Sequence, residues 1–205
     1  MSTDNSLSAT FGDEGATLDA TTVARSAAAG VGAFVASYLL AFVLWTQTQL
    51  PQPDSLGQAL EQAFISAIRD GVATWKAAGM VLFNGHFVQL AYEGPLASGS
   101  FNLIDLAGGG LVQVTYVVVP LALLAAGFLA ARTSGLAGDI ADSAVAGALV
   151  AVGYLVLSAL GSVLFAASGD GTSLSVPLVN AVVVAGIVYP VICGGLGGVI
   201  AHLAD

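Results

Sequence analysis

Five polar side chains lie within one otherwise apolar segment of this 205-residue chain: Lys76, Asn84, His86, Gln89 and Glu93. His86, Gln89 and Glu93 are spaced i, i+3 and i+7, so they share one face if the segment is helical. A histidine beside a carboxylate can relay a proton, bind a cation or gate a pore. The alternative is that this face contacts water or lipid headgroups outside the membrane. The five residues are therefore candidates for a polar face that binds a proton or a ligand.

Recognisable enzyme motifs are missing from the sequence. There is no HExxH, no nucleophile elbow and no CxxC pair. One histidine with one glutamate is too few for a metal site, which generally needs three or four ligands. The sequence thus predicts no catalytic residue, no metal site and no cofactor, and we expect that the protein is not an enzyme.

The secondary-structure elements that must position these side chains are indicated by long stretches of sequence without charged residues. Four stretches contain no Asp, Glu, Lys or Arg: 26–53, 106–131, 143–169 and 171–204. Hydrophobic residues make up 57% of the chain and charged residues 8%, whereas about a quarter of an ordinary soluble protein is charged. Each stretch holds about 20 apolar or small residues, enough to cross a hydrocarbon core of about 30 Å. We predict an all-α integral membrane bundle of four transmembrane helices.

The charge balance adds a prediction about environment and partners. Thirteen acidic residues face four basic ones, for a net charge of -9. Such acidity is typical of proteins that live in molar salt, where the charge is screened. It disfavours nucleic acid and anionic lipid headgroups, which need basic patches. The expected partners are the lipid bilayer and a second copy or another membrane protein.

The chain divides into a tail, a membrane domain and an insert. Residues 1–22 are polar and acidic and predict a disordered tail. Residues 23–205 form a single transmembrane domain, interrupted by an insert at 47–105. Within the insert, Ser55 and Gln58 match a helix capping box, and an apolar stripe at helical spacing follows. This stripe consists of Leu56, Leu60, Ala63, Phe64, Ala67, Ile68, Val72 and Trp75.

The second half of the insert, 75–92, allows two interpretations. It is apolar enough to be a fifth span, but it contains the polar residues named above and ends at Glu93-Gly94-Pro95. A fifth span would also place the termini on opposite sides of the membrane. We therefore predict an amphipathic helix followed by an embedded or re-entrant helix outside the four spans.

Two prolines lie near the middle of apolar runs. Pro120 and Pro190 each remove a backbone donor and predict a helix kink. Each is followed seven residues later by glycine, which suggests two similar hairpins, although proline and glycine are common in membrane helices. The kinks could open a midplane cavity or merely shape the packing. The residues that could line such a cavity are Gln113, Thr115, Tyr116, Asn180 and Tyr189.

Small residues at four-residue spacing predict close helix packing. Gly194 and Gly198 form one such step, and Gly32 lies between Ala28 and Ala36 in another. Glycine and alanine let helices approach closely in a membrane. The pattern does not distinguish packing within the chain from packing between chains.

The arginines beside the spans predict the orientation. Arg25 and Arg132 lie at span ends, and basic residues favour the cytoplasmic side. Both termini are then cytoplasmic in a multi-pass protein of the cell membrane. The 47–105 insert and the 168–176 loop lie outside.

One segment resembles a known group of proteins. The stretch WKAAGMVLFNGHFVQL, residues 75–90, is similar to uncharacterised multi-pass membrane proteins of halophilic archaea. In that group a Trp-Lys step leads to an aromatic-rich element that ends in His-Phe-Val, here His86 to Val88. The resemblance implies a haloarchaeal cell membrane and a family sometimes loosely labelled transporter. It implies no catalytic residues and no established substrate.

Two functions follow as hypotheses. The paired prolines and possible hairpins favour a small transporter-like or channel-like permease subunit. The alternative is a structural or assembly protein that docks partners through its insert and its glycine-rich helix faces.

Overall fold

The computed structural model describes residues 20–95, 97–134, 139–169 and 171–204. Most of the predicted tail, residues 1–19, lies outside this range. Residues 20–22, the end of that tail, instead form the first turn of a helix. The helices are α1 (Ala20–Gln47), α2 (Leu56–Gly71), α3 (Thr74–Asn84), α4 (Leu103–Leu106), α5 (Thr115–Thr133), α6 (Ile140–Ala148), α7 (Val150–Leu164), α8 (Leu178–Asn180) and α9 (Gly195–Leu203).

Four helical segments are long and apolar enough to cross a membrane, as predicted. They are Ala20–Gln47, Leu111–Thr133, Ile140–Leu164 and Leu178–Leu203, each with a mean hydropathy of 2.1 or 2.2. We call them the first to fourth spans. Their outward faces are aliphatic, with Leu39, Leu121 and Leu160 each more than half exposed. Apolar side chains that point away from the bundle are what a lipid solvent requires.

The prediction of an all-α protein is correct only in part, because a small sheet covers one end of the helical bundle. Its strands are β1 (Leu90–Glu93), β2 (Ser98–Phe101), β3 (Ala167–Gly169) and β4 (Thr172–Ser175), in the order β2-β1-β4-β3. All neighbours are antiparallel. The strands are only three or four residues long, and β2, β3 and β4 are rich in Ser or Gly, so they are too short and too polar for the alternation that identifies a strand in a sequence. We call this sheet together with α2 the cap.

The sheet also fixes the relative topology of the chain. Strand β1 belongs to the insert and pairs with β4, which joins the third and fourth spans, so both loops lie at one end of the bundle. At the other end, Arg25 donates to Thr133 O (3.1 Å) and Arg132 to Ala204 O (3.3 Å). The ends of the first, second and fourth spans therefore meet there. Which end faces the cytoplasm stays a prediction, as does the identity of the membrane.

Glycine packing is confirmed in the fourth span and corrected in the first. A Cβ added at Gly198 would lie 2.0 Å from Ser143 O, and one at Gly194 would lie 2.5 Å from Gly147 O. Gly32 is exposed, with nothing within 4 Å of its Cβ position. In α1 the close approach occurs two residues earlier, where a Cβ at Gly30 would lie 1.9 Å from Val150 O.

The two prolines act differently on their helices. Pro120 lies inside α5, which continues through it. The fourth span instead forms π-helical turns at Ala181–Val188 and Pro190–Gly194, a wider winding that absorbs the missing backbone donor. Helix α5 packs closely on the fourth span from Pro190 onward but barely on Ala181–Val188. The two helices therefore diverge towards the cap, and the predicted similarity of the hairpins does not extend to their backbones.

Candidate functional site at the bundle midplane

The second half of the insert enters the helical bundle as α3 and then turns back. Helix α3 begins at the cap, where Lys76 Nζ donates to Ala166 O and Tyr38 Oη donates to Trp75 O. From Ala77 to Asn84 every residue is buried. Eleven residues rise only about 16 Å, which is half of a bilayer core. The chain then returns to the cap as β1. This course agrees with the re-entrant interpretation and not with a fifth span.

The turn at the bottom of α3 has a Schellman-type geometry. Val88 N donates to Phe83 O (3.1 Å), and Phe87 N donates to Asn84 O (2.8 Å). Such a turn needs a residue with positive φ, usually glycine. Here it is Phe87, with φ of 59°. Its ring stacks on Tyr116 at 4.7 Å, which places an exposed aromatic side chain where α5 and the fourth span diverge.

Asn84 holds the two arms of the turn together. Its Nδ2 donates to Val88 O (2.7 Å), and its Oδ1 accepts from Leu103 N (2.8 Å). The side chain is fully buried. Burial of an amide costs desolvation free energy. Here the cost is offset because both ends of the amide form hydrogen bonds with backbone groups that lipid could not satisfy. Asn84 is therefore explained as a structural residue of the turn.

His86 lies at the tip of the turn and is fully buried. Its Nδ1 is 2.9 Å from Leu82 O, which can only accept, so Nδ1 carries the proton. Nε2 is then the acceptor for the Tyr154 hydroxyl, 2.8 Å away. Burial lowers the pKa of His86 to about 4, although its hydrogen bond to Leu82 acts in the opposite direction. The imidazole is thus neutral at neutral pH, with both nitrogens bonded.

The third and fourth spans contact this histidine directly, and the first and second spans pack on its neighbours. The Tyr154 ring lies 5.5 Å from the imidazole and the Tyr189 ring 5.1 Å, both edge to face. Phe34, in the middle of α1, packs on Tyr154 at 5.1 Å. On α5, Thr115 lies against Gly85. We call His86, Phe34, Tyr154 and Tyr189 the midplane cluster, since these residues fill the centre of the bundle.

The predicted polar face does not form, because the helix ends at Asn84 and helical spacing no longer applies. Gln89 is exposed and accepts a bond from Ser100 Oγ (2.8 Å). Glu93 is exposed on β1, and Lys76 remains at the cap. Only Asn84 and His86 lie at the turn. A relay between His86 and Glu93 is therefore wrong for this arrangement.

The residues proposed to line a kink cavity separate into two groups. Tyr189 and Thr115 lie inside the bundle, against His86 and Gly85 respectively. Gln113 and Asn180 are exposed. Tyr116 is half-buried beside the turn, where it stacks on Phe87 and donates to Asp105 Oδ1 (2.7 Å). The interior position is therefore filled by the re-entrant turn.

Tyr154 is the functional candidate that sequence reasoning missed. It lies 68 residues from His86 along the chain, in an apolar run with no motif around it. Its one sequence signal is that a tyrosine in a membrane core needs a partner for its hydroxyl. Which partner it finds depends on the turn that brings His86 inward.

A groove lies in the cap, between α2 and the sheet. Its volume is about 400 Å³. It is lined by Phe64, Ala67, Ile68, Gly71, Val72, Tyr92, Ala167, Ser168, Gly169, Thr172 and Leu174. None of these is charged. We call it the cap groove.

Helix α2 forms one wall of this groove. Ser55 caps it as predicted, since its Oγ accepts from Gln58 N (3.2 Å). Ile65 and Ile68 anchor its second half in the core, and Phe64 packs edge to face on Tyr92. In its first half, Leu56 is 78% exposed and Leu60 64% exposed. The helix is thus held at one end and presents uncovered apolar side chains at the other.

Neither the cap groove nor the midplane cluster assembles metal ligands. Among residues 20–95, 97–134, 139–169 and 171–204, no three His, Cys, Asp or Glu side chains come close enough to hold an ion.

Comparison with known proteins gives one match. A family model described as a family of unknown function (DUF7978) matches residues 6–205. Searches of curated proteins and of solved structures gave no match. The match covers nearly the whole chain and agrees with the expectation of an uncharacterised family. It carries no statement about organism or substrate.

Proposed function

We propose that this chain, which belongs to a family of unknown function (DUF7978), is a non-catalytic assembly protein of the membrane. Its cap groove binds an extramembrane segment of a partner membrane protein. The observation that carries this proposal is the groove itself, an uncharged hollow of about 400 Å³ that a side chain or two would fill. Apolar surface left uncovered outside the bilayer marks an interaction site.

The chemistry of the cap groove indicates what kind of partner segment it would bind. The chain has a net charge of -9, yet the groove walls carry no charge. Strand β3, which lines the groove, is an edge strand of the sheet that the described residues form. An extended segment could pair with that edge through backbone hydrogen bonds and place alternate apolar side chains in the groove. The partner segment is therefore uncharged and extended.

Photo-crosslinking in native membranes tests the docking proposal. A photoreactive residue at Ala67, which lines the groove, is expected to give one defined protein adduct. The matched control is the same photoreactive residue at Ala97, an exposed position directly before β2 that does not line the groove. Filling the groove with Thr172→Trp should lower the yield from position 67 at least about tenfold, since about 1.4 kcal/mol of affinity corresponds to that factor.

The proposal predicts that Ala97→Trp leaves the adduct at position 67 unchanged. Equal adducts from both positions, or an adduct that survives Thr172→Trp, would show that the groove is not the docking site. Adducts with lipid alone would mean that the groove faces the bilayer and that no protein docks there.

The permease hypothesis remains as the second candidate because of one observation, which is that His86 is fully buried inside the bundle against Tyr154 of the third span and Tyr189 of the fourth. Ionisable groups at this depth are costly and commonly serve ion or substrate pathways. The turn that carries it lies where α5 and the fourth span diverge. However, the turn also fills the centre of the bundle, so flux would require its displacement.

Proton flux into proteoliposomes that contain a trapped pH-sensitive dye tests the permease hypothesis. The expected result for a permease is a flux above that of empty liposomes. His86→Ala should abolish it, and His202→Ala, near the end of α9, should leave it intact. A flux equal to that of empty liposomes, or one that His86→Ala does not change, would reject the hypothesis for protons.

A further inference from the structure

A second cavity lies where the cap meets the first span. It has a volume of about 220 Å³ and is lined by Trp45, Thr46, Arg69, Val72 and Thr74. Trp45 is two residues before the end of α1, so the cavity lies at the level where a bilayer core gives way to its headgroups. Tryptophan is enriched at this depth in membrane proteins. We call this hollow the Arg69 cavity.

Arg69 is fixed in place by contacts that leave its charge unbalanced. Its Nη2 donates to Thr48 O (2.8 Å), and its guanidinium carbon lies 4.7 Å from the centre of the Trp45 ring. A guanidinium has five N–H donors. No carboxylate among the described residues forms an ion pair with it. Glu61 and Asp70, the acids of the same helix, are exposed and do not line the cavity.

The surroundings of the cavity indicate the source of the missing anion. Lower on α1, on the same helix face as Thr46, Val43 is 53% exposed and Leu39 56% exposed. These side chains form an outward apolar surface of the first span, where lipid chains run. The hydroxyl of Thr74 also lines the cavity and can donate to an anion. A cation at the top of a lipid-facing surface is complementary to a lipid phosphate.

We propose that the Arg69 cavity binds the phosphate of an anionic lipid, with its chains lying along Leu39 and Val43. The acidic composition of the chain disfavours a broad basic patch, but one unpaired guanidinium held rigidly at the interface is a local exception. This site is separate from the cap groove, with which it shares only Val72. The inference therefore does not depend on the proposed function.

Tryptophan fluorescence gives a site-specific test, because the chain contains two tryptophans. In a Trp75→Phe background, Trp45 is the single reporter and lies in the cavity. Brominated phosphatidylglycerol is expected to quench it at an at least fivefold lower mole fraction than brominated phosphatidylcholine. Arg69→Gln should remove this preference and Arg69→Lys should keep most of it. Arg25→Gln, at the opposite end of α1, is the matched control and should keep it fully.

Three outcomes would overturn the proposal. The first is equal quenching by the two lipids in the Trp75→Phe protein. The second is a preference that survives Arg69→Gln. The third is a preference abolished by excess inorganic phosphate at constant ionic strength, which would identify a site for free anions and not for lipid. Circular dichroism shows whether Arg69→Gln folds. If it does not, the comparison of the two lipids in the Trp75→Phe protein and the quenching of the Arg69→Lys variant still test the proposal.

Discussion

Gly198→Ala is expected to destabilise the protein by more than about 2 kcal/mol, although alanine normally improves a helix by about 1 kcal/mol over glycine. The added Cβ would lie 2.0 Å from Ser143 O and 2.8 Å from Ser143 C. These are backbone atoms, so no side-chain rotation can relieve the clash. Helices α6 and α9 must move apart, and the packing that joins the third and fourth spans is lost with them.

Gly32→Ala is the matched control for this prediction. Gly32 also lies within a membrane-spanning helix, but its Cβ position has nothing within 4 Å. The substitution should therefore be neutral or stabilising by up to about 1 kcal/mol. The measurement is unfolding of the purified protein in mild detergent by added sodium dodecyl sulfate. Equal losses of stability for the two variants would mean that the fourth span does not pack as described.

Acid is expected to destabilise the bundle through His86. The pKa of this side chain is about 4 in the folded protein, because of burial, and about 6.5 when exposed. Above pH 6.5 both states carry a neutral imidazole, so His86 causes no pH dependence. Between pH 6.5 and 4 the unfolded state binds the proton more tightly, and stability falls by about 1.4 kcal/mol per pH unit. The expected loss at pH 5 is about 2 kcal/mol relative to pH 7.

Among the described residues, no charged side chain lies against His86 to oppose this effect. The titratable side chains that contact the imidazole are Tyr154 of the third span and Tyr189 of the fourth, and Cys193 lies near both tyrosines. The first span contributes Phe34, which packs on Tyr154, and the second contributes Thr115, which packs on Gly85. No carboxylate on these described elements faces His86 to stabilise an imidazolium. A protonated His86 must therefore leave the midplane cluster, which would displace the re-entrant turn.

The test compares the pH dependence of unfolding between variants, because the carboxylates of the chain also titrate. His86→Gln keeps a side chain that can bond to Tyr154 but cannot become charged, so its stability should be about 2 kcal/mol less sensitive to the change from pH 7 to pH 5. His202→Gln should retain the full sensitivity. If His86→Gln and the unsubstituted protein show the same pH dependence, His86 is not buried as a neutral group.

The sequence predicted the features that depend on residues within one segment, and it failed for those that depend on contacts between segments far apart in the chain. The four spans follow from composition over about 20 residues, and the Ser55 cap follows from a pattern of four. The predicted close packing at Gly194 and Gly198 is correct, because in a wholly apolar helix these glycines have no role other than to let a neighbouring helix approach. Gly32 has the same local pattern, but α1 is rotated so that Gly30 faces the bundle. Rotation of a helix about its axis is set by its neighbours, and an apolar helix surrounded by lipid carries no polar face to indicate it.

The midplane site shows the same division. The sequence identified Asn84 and His86 as unusual because polar groups in a membrane segment are costly. It predicted the wrong companions, because helical spacing was extended past Asn84 to Gln89 and Glu93. The helix ends there through a turn with Phe87 at positive φ, a position where glycine would have been recognisable and phenylalanine is not.

The sequence by itself determined that this is a helical protein with four segments long and apolar enough to cross a membrane, since lipid imposes its requirement on every residue of a span locally. Only the tertiary structure decided what lies between the spans. The β1 to β4 pairing joins residues about 80 positions apart, and the bond from Tyr154 to His86 joins residues 68 apart. These contacts depend on how far a short helix enters the bundle before it turns. That depth is set by the packing of all four spans around it, which no single segment encodes.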